Sequence, residues 1–208
     1  MGAHEYGDHM ARTRASDFEE KQQGILMSAA AVFAKQGMEK ASMAQVAKHS
    51  KVSKALLYHY YPSKDVLIFA IIHTHLAELE ASVMAAMDPT LSPEDQLGLL
   101  VWVVLQQYRG ADDAHKVQLS GVTALSEQQQ DEIRLVERRI VRHFASVIER
   151  INPILSNPDR PLLMPVTMSL FGMLNWVYMW FREDGPLSRE DYAKVATTLI
   201  LEGIKVVR

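Results

Sequence analysis

One short stretch limits the possible folds of this chain most strongly, and it runs from Ser42 to Lys64 with the sequence SMAQVAKHSKVSKALLYHYYPSK. Ser42 followed by Gln45 is a capping-box pattern that starts a short helix. Ser53 is suited to cap a second short helix, and Pro62 ends it because its ring disfavours a helical conformation at the residue before it. Two short helices joined by a tight turn, the second rich in Lys, Tyr and His, are typical of a helix-turn-helix DNA-binding motif.

Positive charge is concentrated in the same region. From Lys35 to Lys64 the chain has six lysines and one acidic residue, Glu39, a local net charge of +5, whereas the whole chain of 208 residues carries −3. A basic surface attracts DNA because neutralised phosphates release their counterions. Lysine-rich helices that only face solvent would have the same charge, so charge alone does not decide. Together with the caps and the turn, it favours DNA binding.

These residues resemble the TetR (tetracycline-repressor-like) family of bacterial transcriptional regulators over roughly Gln22 to Leu67. The matching positions are Ile25, Ala29, Phe33 and Gly37, then Ser42, Val46 and Ala47, then VSKALLYHYYPSKDVL from Val52 to Leu67. Tyr61 stands where the family more often has Phe, a conservative difference. The resemblance implies an all-α fold of about nine helices. It divides the chain into a flexible N-terminal arm (1–16), a three-helix DNA-binding head (17–64) and a larger ligand-binding and dimerisation body (65–208).

The predicted DNA contacts centre on the second helix of the motif. Lys54, Ala55 and Leu56 follow the cap Ser53 at its start, where side chains can meet base edges in the major groove. By resemblance, the DNA backbone or the outer bases are also contacted by Ser42, Met43, Tyr58, His59 and Tyr60, and Lys64 corresponds to the family's phosphate-contacting lysine. At least one of Tyr60 and Tyr61 is expected to pack inside the head. Arg12 and Arg14 in the arm either contact DNA, in the minor groove or at phosphate, or are disordered.

The rest of the chain has helical apolar spacing without strand-like alternation. The first helix is expected from Asp17 to about Gln36. A second capping box, Ser126 with Gln129, predicts a long helix to about Ile151 that carries several arginines on its outer face.

The last two helices are too apolar to rest on one neighbour each. A symmetric partner would cover their second side through a four-helix interface. The predicted dimer residues are Phe171, Asn175, Tyr178, Leu199 and Gly203. A monomeric core built from the same two helices is the alternative.

The sequence has no pattern that predicts an enzyme, such as Gly-x-Ser-x-Gly, a phosphate-binding glycine loop or His-Glu-x-x-His. Neither a metal site nor a cofactor is expected. The absence of cysteine fits a reducing cytosol, so we expect a cytoplasmic protein. Pro161 to Phe181 contains no charge and has about the length of a membrane span. Its prolines and polar residues favour a soluble helix, with a membrane-associated helical protein as the alternative.

Large, adaptable side chains in the body suit a pocket for a hydrophobic small molecule. The predicted ligand residues are Trp102, Gln106, Tyr108, Phe144, Met173 and Trp176. The same residue types also form plain helical cores, so a DNA-binding regulator without a ligand stays open. The segment NWVYMWFREDGPLSREDYAKV resembles TetR members that regulate fatty-acid or aromatic-acid degradation, several of which respond to acyl-CoA thioesters. We therefore predict a homodimeric repressor released from a double-stranded, pseudo-palindromic operator by a hydrophobic effector.

Overall fold

The computed structural model describes the backbone of residues 4–207 and the side chains of residues 18–207. Every regular element in this range is helical, which confirms the all-α prediction. Nine α-helices have seven or more residues, a tenth is a single turn, and two short 3-10 helices complete the set.

The first four helices contain the predicted motif. They are α1 (His4–Gln36), α2 (Met43–His49), α3 (Lys54–Tyr60) and α4 (Lys64–Ala85). Gly37 ends α1 with φ of 80°, a left-handed conformation that glycine adopts without steric cost. Helix α1 begins at His4 rather than at the predicted Asp17, so helical backbone covers most of the predicted flexible arm. The side chains of Arg12 and Arg14 lie outside the described residues.

Six further α-helices follow along the chain. They are α5 (Pro93–Gln107), α6 (Asp112–Gly121), α7 (Glu127–Ile151), α8 (Leu163–Asn175), α9 (Val177–Trp180) and α10 (Arg189–Ile204), with 3-10 helices at Val122–Ala124 and Pro153–Ser156. The capping box before α7 forms as predicted, since the Gln129 amide donates to Ser126 Oγ and the Ser126 amide donates to Gln129 Oε1.

The chain forms two compact units. The first comprises the residues up to Thr74 together with Asp113–Gln130, so the predicted boundary after Lys64 falls inside it. Its core includes the buried side chains of Phe33, Leu57, Leu67, Ile68 and Ile72. Helix α6 ends against this core at Gly121, where an added Cβ would lie 3.2 Å from Ile68 Cγ2 and 3.3 Å from Ile72 Cδ1.

The second unit comprises His75–Asp112 and Asp131–Arg208. Its core is aliphatic and aromatic, with Leu97, Leu105, Ile133 and Phe144 among the fully buried side chains. Arg139 of α7 forms a bidentate ion pair with Glu80 of α4. Helix α4 therefore contributes residues to both units and is fixed to α7 within the second.

The uncharged stretch from Pro161 to Phe181 does not form one long helix. It is divided into α8, of 13 residues, and the single turn α9, and a membrane span needs about 20 residues. By length and composition alone, α4 is the one helix in the described part of the chain that could cross a membrane. Leu67, Ile68, Ile72 and Leu76 of α4 are buried within the protein, as in the core helix of a globular domain.

Candidate DNA-binding site

Helix α2 begins with the predicted capping box. The Ser42 amide donates to Gln45 Oε1 at 2.7 Å, and the Gln45 amide donates to Ser42 Oγ at 3.3 Å. Val46 and Ala47 are buried and attach α2 to the core of its unit. Ser42 is exposed at the amino-terminal end of α2, and its contact with DNA stays a prediction.

A tight turn joins α2 to α3. Its main-chain hydrogen bond runs from the Val52 amide to the Ala47 carbonyl at 3.0 Å. Lys51 has φ of 56°, which makes it the only described residue other than glycine with a left-handed backbone. Such a conformation is costly for a residue with a Cβ. The turn then passes to Ser53, whose Oγ accepts a hydrogen bond from the Leu56 amide at 3.1 Å and caps α3.

Helix α3 has one buried face and one exposed face. Leu57 is fully buried and fixes the rotation of the helix. Lys54, Ala55 and Tyr58 are exposed on the opposite side, and the Tyr58 side chain is 48% accessible. Residues four apart in a helix share a face, so Lys54 and Tyr58 lie side by side. This exposed face can enter a groove without disturbing the core.

The aromatic residues at the end of α3 lie partly in the core and partly at the surface. Tyr61 is buried, which confirms that at least one of the two adjacent tyrosines packs inside, and burial raises the pKa of its hydroxyl. The half-buried Tyr60 ring lies 4.9 Å from the Phe18 ring of α1. His59 is exposed, with its ring edge towards Tyr60 at 5.9 Å. Tyr60 therefore packs on α1 and offers only part of its surface to DNA.

Two other predicted contact residues occupy different environments. Met43 is buried, so its side chain belongs to the core and not to a DNA-contacting surface; sequence reasoning placed it wrongly because it directly follows the exposed cap. Lys64 is half-buried at the start of α4, and its Nζ donates to the Glu39 carbonyl at 3.3 Å. Ser63 caps the same helix by accepting from the Val66 amide at 3.2 Å. Lys64 thus stands beside free helix amides that favour an anion.

The lysines around the turn are available for phosphate. Lys48, Lys51 and Lys54 are all exposed, and within residues 18–207 none of them forms an ion pair. Lys48 and Lys51 belong to the basic region of the sequence but are not among the predicted contacts. Their position on either side of the turn adds them to the candidate surface.

The predicted ligand residues lie in different environments within the second unit. Tyr108 is buried, and its hydroxyl donates to Asn175 Oδ1 at 2.8 Å. Phe144 is fully buried, with its ring edge-on to Phe171 at 4.9 Å, so both residues belong to the protomer core. Trp102 lines a separate cleft of about 290 Å³ between α5 and α10.

Three further predicted ligand residues lie at the surface or close to it. Gln106 and Met173 are half-buried, and the Met173 carbonyl accepts a hydrogen bond from the Tyr192 hydroxyl at 3.2 Å. Trp176 is 58% exposed. Phe144 and Tyr108 are buried in the protomer core, and all six ligand positions stay predictions.

The predicted dimer residues also differ in their burial. Phe171 and Asn175 face inward, where Asn175 accepts from Tyr108. Tyr178 and Gly203 are half-buried, while Leu199 is 59% exposed. The α8–α10 region instead exposes a set of large apolar side chains: Met164, Met168, Trp176, Met179, Trp180, Val195 and Leu199. The sequence of a uniformly apolar helix does not show which side faces the core, so the predicted dimer residues include positions that face inward.

A helix-turn-helix whose second helix has a free basic and aromatic face defines a DNA-binding regulator as the class of protein. Two family comparisons agree with it. Residues 25–71 match the family described as bacterial regulatory proteins, tetR family, and residues 90–204 match the tetracyclin repressor-like C-terminal domain. The second match covers more than half of the chain. The chain belongs to the TetR family.

Relatives and solved structures support the same assignment. The uncharacterized HTH-type transcriptional regulator YhgD of Bacillus subtilis is 24% identical over 184 residues, covering 86% of this chain and 94% of the relative. A TetR-family regulator from Bordetella parapertussis superposes with a TM-score of 0.81 at 28% identity, over 90% of this chain and 97% of that one. AibR, solved with isovaleryl coenzyme A and operator DNA, has the same fold, with a TM-score of 0.73 at 24% identity over 86% of this chain and 97% of AibR.

Proposed function

We propose that this protein is a homodimeric transcriptional repressor that binds a pseudo-palindromic operator and is released from it by a hydrophobic effector. The observation that carries the proposal is the exposed face of α3, where Lys54, Ala55 and Tyr58 project away from a helix fixed by buried Leu57. Lys54 can donate to base acceptors, and Ala55 can contact a thymine methyl. Ser42, Lys48, Lys51 and Lys64 are assigned to phosphates, which fix the register on the duplex.

A dimer is proposed because the carboxyl-terminal helices expose too much apolar surface for a monomer. Met168 on α8, Trp176 directly after α8 and Leu199 on α10 are each about half exposed or more. Large apolar patches on a soluble protein mark interaction sites. Pairing through a two-fold axis would bury them and would place two α3 helices on successive half-sites of the operator.

The proposed effector acts through α4, which contributes residues to both compact units. A ligand that favours one arrangement of the second unit can change the spacing of the two DNA-reading helices. A coupling of about 1–3 kcal/mol would weaken operator binding roughly 5- to 150-fold. A hydrophobic acid or its coenzyme A thioester is the proposed ligand class, which also accords with the isovaleryl coenzyme A bound by the structural relative AibR.

The decisive experiment is selection of DNA from a random pool by the full-length protein. We expect an enriched inverted repeat, and the enriched site is retested with Lys54→Ala and Tyr58→Ala. Lys205→Ala is the matched control, because Lys205 is exposed on the second unit and pairs with Glu202. Loss of affinity in both α3 variants, with the control unchanged, supports the proposal. Enrichment of no site, or equal binding by all variants, contradicts it.

The phosphate role of the turn lysines is separable from base reading by salt titration. Removing one phosphate contact should reduce the slope of log K against log salt by about one and weaken binding to all sequences alike. Lys51→Ala is expected to behave in this way. Lys54→Ala should instead reduce discrimination at one base-pair position in each half-site.

A further inference from the structure

The open cleft between α5 and α10 has a volume of about 290 Å³. This is close to the lower end of the range of about 300–1,000 Å³ that is usual for small-molecule sites. Gly98 and Trp102 of α5 line one wall, and Glu190, Lys194 and Thr197 of α10 line the other. Three features of these walls indicate what the cleft can bind: a glycine within a helix, a buried hydroxyl group and a closed ion pair.

Gly98 keeps the α5 side of the cleft open. It lies in the interior of α5, where glycine destabilises a helix relative to alanine. A Cβ built on Gly98 would lie 3.7 Å from Thr197 Cγ2, an ordinary van der Waals distance, so packing does not exclude a side chain here. Trp102 follows four residues later on the same face and is 41% exposed. The glycine therefore leaves the indole accessible from the cleft, at a cost to the stability of α5.

Thr197 carries a hydroxyl group without a hydrogen-bond partner. Its Oγ1 is buried, and no atom of the described residues pairs with it. Leaving a buried hydroxyl unpaired is unfavourable. A threonine in a helix has two favourable χ1 rotamers, so rotation about one bond can turn this hydroxyl towards the cleft that its side chain lines. A ligand with a hydrogen-bonding group at this wall would supply a partner.

The two charged residues of the cleft already form an ion pair. Lys194 Nζ lies 2.8 Å from Glu190 Oε1, and the two residues are one helical turn apart on α10. They are the only charged residues among the described residues that line the cleft. An anionic ligand would compete with Glu190 for Lys194, and a cationic ligand would compete with Lys194 for Glu190. The lining therefore favours a ligand without charge.

The cleft lies on a different side of α10 from the proposed dimer surface. Val195 and Leu199 each stand two residues from Thr197, and both are exposed, at 47% and 59%. Successive residues of a helix turn by about 100°, so both project about 200° away from Thr197, nearly on the opposite side. A partner subunit that covers Val195 and Leu199 therefore leaves the cleft accessible.

We infer that this cleft binds a neutral phenol, with its ring against the Trp102 indole beside Gly98 and its hydroxyl group hydrogen-bonded to Thr197 Oγ1. Aromatic rings pack favourably on an indole in offset or edge-to-face arrangements. A phenolic hydroxyl both donates and accepts, so it can pair with a threonine hydroxyl in either direction. An aromatic hydrocarbon would leave Thr197 without a partner. The phenol differs in charge from the proposed acid effector, and the inference needs neither operator binding nor release.

Equilibrium dialysis of the full-length protein against p-cresol, toluene and p-toluate tests the inference. The three probes share a methyl-substituted ring and differ in one group, which is hydroxyl, hydrogen or carboxylate. At neutral pH p-cresol is uncharged, since a phenol ionises at about pH 10. One hydrogen bond between neutral groups should make p-cresol bind about three- to tenfold more tightly than toluene. The charged p-toluate should also bind more weakly than p-cresol.

Two substitutions test the walls of the cleft. Thr197→Val keeps the shape of the side chain and removes the hydroxyl, so p-cresol should bind no more tightly than toluene. Because this hydroxyl has no partner in the free protein, the variant should melt at a temperature at least as high as that of wild type. Gly98→Leu fills the cleft with a residue that favours the helix, and it should abolish binding of both p-cresol and toluene.

Thr167→Val is the matched control. Thr167 is a buried threonine of α8, outside the cleft, and its hydroxyl donates to the Leu163 carbonyl at 2.8 Å. Its substitution should leave p-cresol binding unchanged, and thermal unfolding verifies that each variant is folded. Four outcomes overturn the inference: no p-cresol binding by the folded wild type, toluene or p-toluate binding as tight as that of p-cresol, undiminished binding by either cleft variant, or equal weakening in the control. The dialysis contains no DNA, so its failure leaves the operator selection as a separate test of the proposed function.

Discussion

Gly121 provides the sharpest test of how the middle of the chain packs onto the helix-turn-helix unit. It is buried at the end of α6, and a Cβ built on it would lie 2.9 Å from Met38 Sδ. The same Cβ would lie 3.2 Å from Ile68 Cγ2 and 3.3 Å from Ile72 Cδ1. The methionine sulfur can move, but the two buried isoleucines of α4 have little space to adjust.

The free-energy change for Gly121→Ala follows from two opposing effects. Inserting a methyl group into a packed core costs about 1–3 kcal/mol. Alanine has less conformational freedom than glycine in the unfolded chain, which stabilises the folded state by about 0.4–1 kcal/mol and offsets part of this cost. We expect the variant to lose about 1–2 kcal/mol of unfolding free energy.

Gly24→Ala is the matched control. Gly24 lies in the interior of α1, also in the first unit, and is exposed with nothing within 4 Å of an added Cβ. The same substitution should therefore stabilise the protein by about 0.5–1 kcal/mol, the opposite sign. Urea unfolding at a fixed protomer concentration measures both variants, with an unchanged m-value required for the comparison. A neutral or stabilising Gly121→Ala would refute the packing of α6 on α4.

Three further predictions concern the second unit. Tyr108→Phe removes the hydrogen bond to Asn175 and should lower the free energy of unfolding in urea by about 1 kcal/mol. Burial, with a smaller effect from the charge of Glu137, raises the pKa of Tyr108 in the folded protein. Because the tyrosine ionises first in the unfolded chain, the wild type should lose stability above about pH 10, and the variant should lose less. Ser188→Ala removes the cap of α10, in which Ser188 Oγ accepts from the Asp191 amide at 3.0 Å, and should cost about 1 kcal/mol. Leu199→Glu places a charge on the exposed apolar surface of α10 and should convert the proposed dimer to monomer in sedimentation.

Each of these has an outcome that contradicts its reasoning. If stability above pH 10 falls equally in wild type and Tyr108→Phe, ionisation of Tyr108 does not cause the loss of stability at alkaline pH. A Ser188→Ala variant as stable as wild type would mean that the cap contributes nothing to α10. Leu135 on α7 is also an exposed leucine, at 51%, so Leu135→Glu is the control for Leu199→Glu, and equal dissociation by both would remove the case for the α10 interface.

The motif was predictable because its signals are local. The capping box of Ser42 and Gln45, the cap Ser53 and the stop at Pro62 each depend on neighbours within four residues, and all appear in the structure. The exposed face of α3 was predictable because assigning Leu57 to the core determines which side of the helix faces solvent. Met43 was the exception, because an exposed cap does not reveal that the next side chain turns inward.

The body was less predictable because its last helices are apolar on nearly every side. In α8 Met164 and Met168 face outward, as does Trp176 directly after it, whereas Phe171 and Asn175 face inward. Hydrophobic periodicity gives the rotation of a helix only when polar residues mark one face. Helix α7, with charged residues on its outer side, was placed correctly for that reason.

The discontinuous first unit has a consequence for exchanging parts between relatives. A DNA-reading module transferred as residues up to Thr74 alone would arrive without Asp113–Gln130, and Ile68 and Ile72 would lose the surface that Gly121 brings against them. A functional hybrid regulator must therefore carry both segments from one parent. Recombination of this chain with a relative is therefore constrained at two separate places, and Gly121 at the end of α6 marks the second.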